Sequence, residues 1–322
     1  MNLSNTASTT PNPALIAALR ARLPDARVIT DELRRLSWGS DASFYRMLPQ
    51  VVVVAEDEAD VAHVLQVARR HQMHLTFRAA GTSLSGQAVS DGILVLLGDG
   101  FATYAQDDGA LSVRLGPGMI GAEVNRRLAP LGRKIGPDPA SIATCKIGGI
   151  AANNASGMCC GTSQNSYRTL RAMRVMLADG ALLDSADPLS VAAFQASHGA
   201  LLSTLAQLGR ETRANLALAA LIRRKYKIKN TTGYSLNALV DYDDPIDILC
   251  HLMIGSEGTL GFISSITYDT VPEHRHKASA LVFFADIGGA CAAVLALKPL
   301  AVSAVELLDR AALRSVENKA GL

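Results

Sequence analysis

The sequence contains no C-x-x-C pair, and its five cysteines, Cys145, Cys159, Cys160, Cys250 and Cys291, are odd in number. That argues against a disulfide framework and against a thiolate-held zinc or iron–sulfur centre in these residues, and it fits a reducing compartment. An excess of one charge is lacking too: 31 Lys and Arg face 29 Asp and Glu, a net charge of +2. This excludes a strongly basic nucleic-acid binder and an acidic tail protein, though not a local basic pocket. No H-E-x-x-H occurs among the seven histidines, and His71, His74, His274 and His276 read as surface residues, so no metal site is expected. Residues Met1 to Pro13 have no basic or apolar region and no arginine, unlike a signal or transit peptide. The most apolar long stretch, Ala280 to Leu297, carries Asp286 and two glycines, so it reads as a buried strand and helix and not as a membrane span. A soluble cytoplasmic protein is expected, with peripheral attachment at the inner membrane as the alternative.

What is present is core material. The chain has 322 residues, 49% of them apolar, enough for roughly two domains or subdomains. After a polar head over residues 1–13, a helix is predicted from Asn12-Pro13 onward. Val51–Ala55 is a continuous apolar run, as in a buried strand. A helix with Val61, Val64, Leu65 and Ala68 on one face follows, then strands at Leu75–Arg78 and Ile93–Leu97. Leu111–Leu115 reads as a strand and Ile120–Leu131 as a helix, whereas Gly136 to Gly161 shows no periodicity and reads as a long loop. Leu170–Leu177 and Ala181–Asp184 flank Asp179-Gly180, a type I′ hairpin signal. Two helical patterns fill roughly 188–226, a helix covers Ile248–Met253, and Ile263 to Val271 suggests a strand. The polar stretch Pro272 to Lys277 reads as a boundary. Beyond it, Leu281–Phe284 (strand), Ala290–Leu297 (helix) and Ala304–Leu308 begin a second unit too short for an independent core.

Four segments could carry chemistry. Gly116-Pro117-Gly118-Met119-Ile120-Gly121 fits G-x-G-x-x-G between a predicted strand and helix, so one reading is a nicotinamide site; a tight turn is the other. Arg78 to Gly86, with Ala80, Gly81, Thr82 and Ser83, has the small residues that let backbone amides approach an anion; a plain connecting loop would look similar. Pro137, Asp138, Ser141 and Thr144, followed by Gly148, Gly149, Asn153, Asn154, Ser156 and Gly157, supply side chains and amides suited to a diphosphate or a flavin edge; a packed Gly/Ala helix is the alternative. Gly255 to Gly261 places Glu257 and Gly258 in a backbone clasp, or merely in a turn before Ile263.

Together these segments resemble the FAD-binding domain of the p-cresol methylhydroxylase, or vanillyl-alcohol oxidase, type of flavoprotein. The resemblance spans about residues 49 to 272: Pro49 to Val54 and the next helix, the Arg78–Gly86 loop (with Ala79 and Ala80 departing from the family pattern), the Pro137–Gly157 run, and the G-S-E-G-T-L-G of Gly255 to Gly261. Asn230-Thr231-Thr232-Gly233-Tyr234, Trp38 to Tyr45 and Gly157 to Gly161 are similar to the bacterial D-2-hydroxyacid dehydrogenases that join this domain to an iron–sulfur module. The resemblance implies an α+β fold with two subdomains holding FAD between them over 49–272, preceded by a head and helix (1–48) and followed by the start of a truncated α+β cap (273–322). It implies oxidation of a D-2-hydroxyacid, of the D-lactate or D-2-hydroxyglutarate type, with hydride passing to the flavin and electrons to a quinone, cytochrome or iron–sulfur module. The family's histidine base and its cluster are expected outside this sequence, so the catalytic residue is unassigned and weak or no turnover is expected. No histidine stands between Arg78 and Gly86, where covalent relatives carry theirs, which implies non-covalent FAD. Lys229, Asn230 and Thr232 are the candidate substrate-carboxylate residues. Cys159-Cys160 reads as packing and not as a redox pair. Two rival functions stand beside this one: a nicotinamide-dependent dehydrogenase using Gly116–Gly121, and a non-catalytic FAD-binding fragment.

Overall fold

The computed structural model describes residues 11–300 and 302–319; most of the expected polar head lies outside them. A four-stranded sheet comes first: β1 (Val28–Ile29), β2 (Val51–Ala55), β3 (Leu75–Arg78) and β4 (Ile93–Leu97), in the order β1-β2-β4-β3. β2, β4 and β3 run parallel, with β1 antiparallel at the edge. Every residue of β4 is buried, which is what a continuous apolar run gives in a central parallel strand. Helices α1 (Pro13–Arg20) and α3 (Glu58–Arg70) supply the facing layer, and α2 (Glu32–Ser37) precedes β2. The Asp57 side chain starts α3 by accepting the Asp60 amide at 2.8 Å, and Val61, Val64, Leu65 and Ala68 pack inward.

The second sheet is antiparallel throughout: β5 (Tyr104–Gln106), β6 (Ser112–Leu115), β7 (Arg133–Ile135), β8 (Leu170–Met176), β9 (Leu182–Asp184) and β10 (Phe262–Pro272). Its order is β5-β6-β10-β8-β9, with β7 also on β10. Helices α4 (Gly121–Leu128), α5 (Ile147–Asn153), α6 (Ser166–Thr169), α7 (Pro188–Ala214), α8 (Leu216–Lys225), α9 (Ala238–Asp241) and α10 (Pro245–Met253) accompany it. Two contacts lock the halves together. Phe262, the first residue of β10, packs on Phe77 and Phe101 of the first half, with ring centroids 4.8 and 5.3 Å away. Arg174 of β8 grips Glu58 of α3 with two bonds of 2.6 and 2.8 Å, and the guanidinium holds the Glu58 carboxyl below its usual range.

Several expectations need correction. The stretch from Gly136 to Gly161 is not elementless: Ile147, Ile150 and Ala151 bury one face of α5. Asn154 ends that helix at φ +52°, and Ala155 donates back to the Ile150 carbonyl. The hairpin between β8 and β9 is not type I′, which needs positive φ at both central residues; only Gly180 is positive (φ +91°), and Leu177 pairs with Ala181 around a three-residue loop. Leu281–Phe284 forms no strand, for among the described residues it has no pairing partner, and Phe283 is 82% exposed. No regular element covers Ala304–Leu308 either; the helices beyond β10 are α11 (Ile287–Leu297) and α12 (Arg310–Val316).

The G-x-G-x-x-G turn is also corrected. It does join β6 to α4, but β6 lies between antiparallel neighbours, so the parallel βαβ unit of a dinucleotide fingerprint is missing there. Gly116 is required for packing instead: a Cβ would meet the Phe101 carbonyl oxygen at 2.1 Å.

Candidate functional site

A cleft of about 350 Å³ opens between the two halves. It lies at the carboxyl ends of β3 and β4, where parallel strands commonly receive ligands. The loop after β3 gives Ala80, Gly81, Thr82 and Ser83 to one wall. Ser141 and the α5 residues Gly148, Gly149 and Asn153 form another, and Glu257, Gly258 and Ile263 close the third. Ser85 of the same loop also lines it, as do Gln87, Cys145, Lys146 and Phe262, which sequence reasoning missed. No signal in the sequence pointed to Lys146. It is the one cation of the described lining residues, and its Nζ donates to the Leu97 carbonyl at 3.4 Å.

The wall residues are tied to one another. The Ser83 hydroxyl donates to Gln87 Oε1, and Gln87 Nε2 stands 3.5 Å from Glu257 Oε1. Asn153 Nδ2 donates to the same carboxylate oxygen at 2.5 Å, so a polar ladder crosses the cleft from one half to the other. Burial raises the Glu257 pKa, and the Asn153 bond opposes that rise. Glu257 sits at φ +53°, an unusual state for a non-glycine residue, and its amide donates to the Ala152 carbonyl at 2.9 Å. The clasp is thus hung on the end of α5.

Other candidates build the walls without lining them. Arg78 turns away from the cleft: its guanidinium donates to the Ser40 carbonyl at 2.8 Å and lies over the Trp38 ring. Both oxygens of Asp138 are taken by backbone amides, of Gly157 at 2.9 Å, Cys159 at 3.0 Å and Cys160 at 3.1 Å. Gly157 has no room for a side chain, since its Cβ would meet the Asp138 carbonyl oxygen at 1.9 Å. Asn154 caps α5 and accepts the Tyr167 amide, and Thr144 folds onto Ser141. Gly86, Pro137 and Ser156 are likewise absent from the lining. Cys160 is buried and its thiol is pushed up to about 11, while Cys159 is exposed; both are free thiols. Lys229, Asn230 and Thr232 do not reach the cleft either. Lys229 Nζ donates to the Ser156 carbonyl at 2.5 Å, and Asn230 Oδ1 accepts from Thr232.

The lining suits a long, mildly polar, partly aromatic ligand that carries a diphosphate. Gly149 faces only the Ala79 methyl, 3.8 Å from where its own Cβ would be, and Gly258 (φ +77°) has open space above it, so backbone can come close to a ligand. Hydroxyl and amide groups dominate the polar part, one cation balances one carboxylate, and Leu97, Ile150, Phe262 and Ile263 give apolar surface. The residues present therefore fit FAD.

The comparisons with known proteins agree with this geometry. Residues 49–186 match the family described as FAD binding domain, and the fold is α+β in class. More particularly, the chain is 27% identical over 315 residues to a D-2-hydroxyglutarate dehydrogenase of Pseudomonas putida, covering 94% of this chain and 31% of that protein. It is also 27% identical over 263 residues to the Haemophilus influenzae protein of the same name, covering 77% of this chain and 25% of the relative. The chain thus spans about a quarter to a third of the length of these relatives. Among solved structures, an alkyldihydroxyacetonephosphate synthase superposes with a TM-score of 0.54 at 16% identity, over 84% of this chain and 44% of the other, which shows the shared fold. No helix among the described residues is long and apolar enough to cross a membrane.

Proposed function

We propose that this chain is the flavin-holding part of a dehydrogenase for D-2-hydroxyacids, of the D-2-hydroxyglutarate or D-lactate kind, with electrons leaving to a non-nicotinamide acceptor. The observation that carries this reading is the cleft itself, with small-residue walls from three separate segments at the ends of parallel strands. Relatives named for D-2-hydroxyglutarate support the substrate class. FAD, when bound, supplies the acceptor for the hydride released from the carbinol carbon. The chain's own residues position and screen. Ala80 to Ser83 and Gly149 offer close backbone, and Lys146 offers the positive charge for a diphosphate. Leu97, Ile150 and Phe262 keep water from the apolar side. The reading includes FAD held without a histidyl link, which is supported by the lack of a histidine among the described lining residues. Lys229, Asn230 and Thr232 are exposed or half-buried outside the cleft, with Lys229 bound to the Ser156 carbonyl, so the cleft does not support the substrate-carboxylate role read for them from the sequence.

The test is the visible spectrum of the purified chain after incubation with FAD and desalting, followed by anaerobic addition of D- and L-2-hydroxyacids. A retained flavin band that D-2-hydroxyglutarate or D-lactate bleaches supports the proposal. A folded but colourless protein overturns the cofactor reading. With the base expected outside these residues, weak or absent bleaching fits the proposal; no shift of the flavin spectrum at all on adding D-2-hydroxyglutarate or D-lactate overturns the substrate reading in favour of a non-catalytic flavin carrier. Thermal protection by NAD but not FAD would favour the nicotinamide alternative, which the antiparallel setting of β6 opposes.

A further inference from the structure

The segment Trp38 to Met47 lies ahead of the matched family residues, and it is bound to the glycine loop of the cleft from end to end. We propose that this strap is a working part of the flavin site, holding the Arg78–Ala88 loop in its ligand-binding shape, with Arg78 and Asp41 as the positioning residues. The inference rests on the cleft being the FAD site.

Four contacts make the case. Arg78, at the carboxyl end of β3, sends its guanidinium back to the carbonyls of Trp38 at 3.2 Å and Ser40 at 2.8 Å, and lies 5.2 Å from the Trp38 ring centroid. The same guanidinium fills the space beneath Gly81: a Cβ there would stand 2.5 Å from one of its nitrogens, and φ at Gly81 is +68°. The Ala42 amide donates to the Gly81 carbonyl at 3.0 Å, so the strap takes hold of the loop at its tightest turn. Asp41 uses both carboxylate oxygens, one for the Ser43 amide at 2.8 Å within the strap and the other for the Ala88 amide at 3.3 Å at the far end of the loop. The ring of Tyr45 packs under Gly86, leaving no room for a Cβ, which would meet it at 2.7 Å.

The loop residues that line the cleft, Ala80 to Ser85, therefore lie between two anchored ends. A loop of small residues is otherwise free to sample many shapes, and each anchor removes freedom that ligand binding would have to remove. The strap's contribution should thus appear in ligand affinity more than in the stability of the sheets.

The test compares wild type with Asp41→Ala, Asp41→Asn and Arg78→Gln, with Leu33→Ala on the exposed face of α2 as a surface control. The readouts are the FAD dissociation constant, from quenching of flavin fluorescence on adding apoprotein, and the melting temperature of the apoprotein. Asp41→Ala should weaken FAD by about tenfold or more while melting close to wild type. Asp41→Asn keeps one acceptor oxygen and should fall between them, and Leu33→Ala should match wild type. Should Arg78→Gln fail to fold, the Asp41 pair still decides the matter. FAD affinity equal to wild type in Asp41→Ala overturns the strap's role, and so does a loss of affinity matched by a general loss of stability. A wild-type chain that takes up no FAD at all overturns the cleft reading, and the strap's role with it.

Discussion

Gly148 and Gly149 are adjacent in sequence, yet the structure gives their substitutions opposite signatures. At Gly149 an added methyl meets nothing but the Ala79 methyl at 3.8 Å, an ordinary contact. Within α5 the Gly149→Ala change removes backbone freedom from the unfolded chain and is worth about 0.5–1 kcal/mol in favour of the fold. In a domain of this size that raises the melting temperature by about 1–4 °C. The same methyl projects into the cleft between α5 and the glycine loop, where a bound ligand would have to shift by a methyl radius. Overpacking of that kind costs about 1–3 kcal/mol, so FAD should bind about tenfold more weakly or worse. At Gly148 the methyl instead meets Pro117 Cβ at 2.8 Å, and the fold should lose stability directly. The assay is a pair of apoprotein melting curves and an FAD titration on each variant. A Gly149→Ala protein that is both more stable and fully able to bind FAD would refute the placement of the flavin against α5.

Other outcomes follow from single residues. Lys146→Ala should weaken FAD by about 1.5–3 kcal/mol and flatten the salt dependence of its binding; an unchanged affinity in a titration over ionic strength would remove Lys146 from the diphosphate site. Asp138→Ala frees three backbone amides and should cost about 2–3 kcal/mol of stability in denaturant unfolding, whereas lost FAD affinity at unchanged stability would show Asp138 to be a ligand. Burial between Tyr167 and Tyr242 lowers the His251 pKa from 6.5 to about 4, so the unfolded chain binds the extra proton first. Stability is then full above about pH 6.5 and falls by about 3 kcal/mol as pH drops towards 4, and His251→Phe should flatten that part of the profile.

The sheet order and the cleft were readable to different depths. Val51–Ala55 and Ile93–Leu97 announce themselves because buried parallel strands need unbroken apolar runs. The glycine loop announces itself because close backbone approach leaves few residue types. Lys146 and Gln87 left no trace, since a lone polar residue has no period and its direction depends on the fold around it. Arg78 and Asp138 were legible as residues the site needs, but their task was not. Whether a side chain faces a ligand or braces the loop that does is settled by atoms distant in sequence, here Ser40 for Arg78 and Cys160 for Asp138. Helix α5 hid among glycines and alanines because its face is only Ile147, Ile150 and Ala151, too short for periodicity to stand out.

Strand β10 has a consequence for how the molecule comes into being. It pairs with β6, β7 and β8, and its first residue, Phe262, belongs to the core of the other half. As a chain emerges from the ribosome, the first four strands can assemble once residue 97 is out. The second sheet has no centre until residue 272 follows, so β6 and β8 wait with open edges while the intervening helices are made. The cleft wall that Glu257, Phe262 and Ile263 supply, and the Phe262 rings that join the two cores, are complete only once these residues have been made.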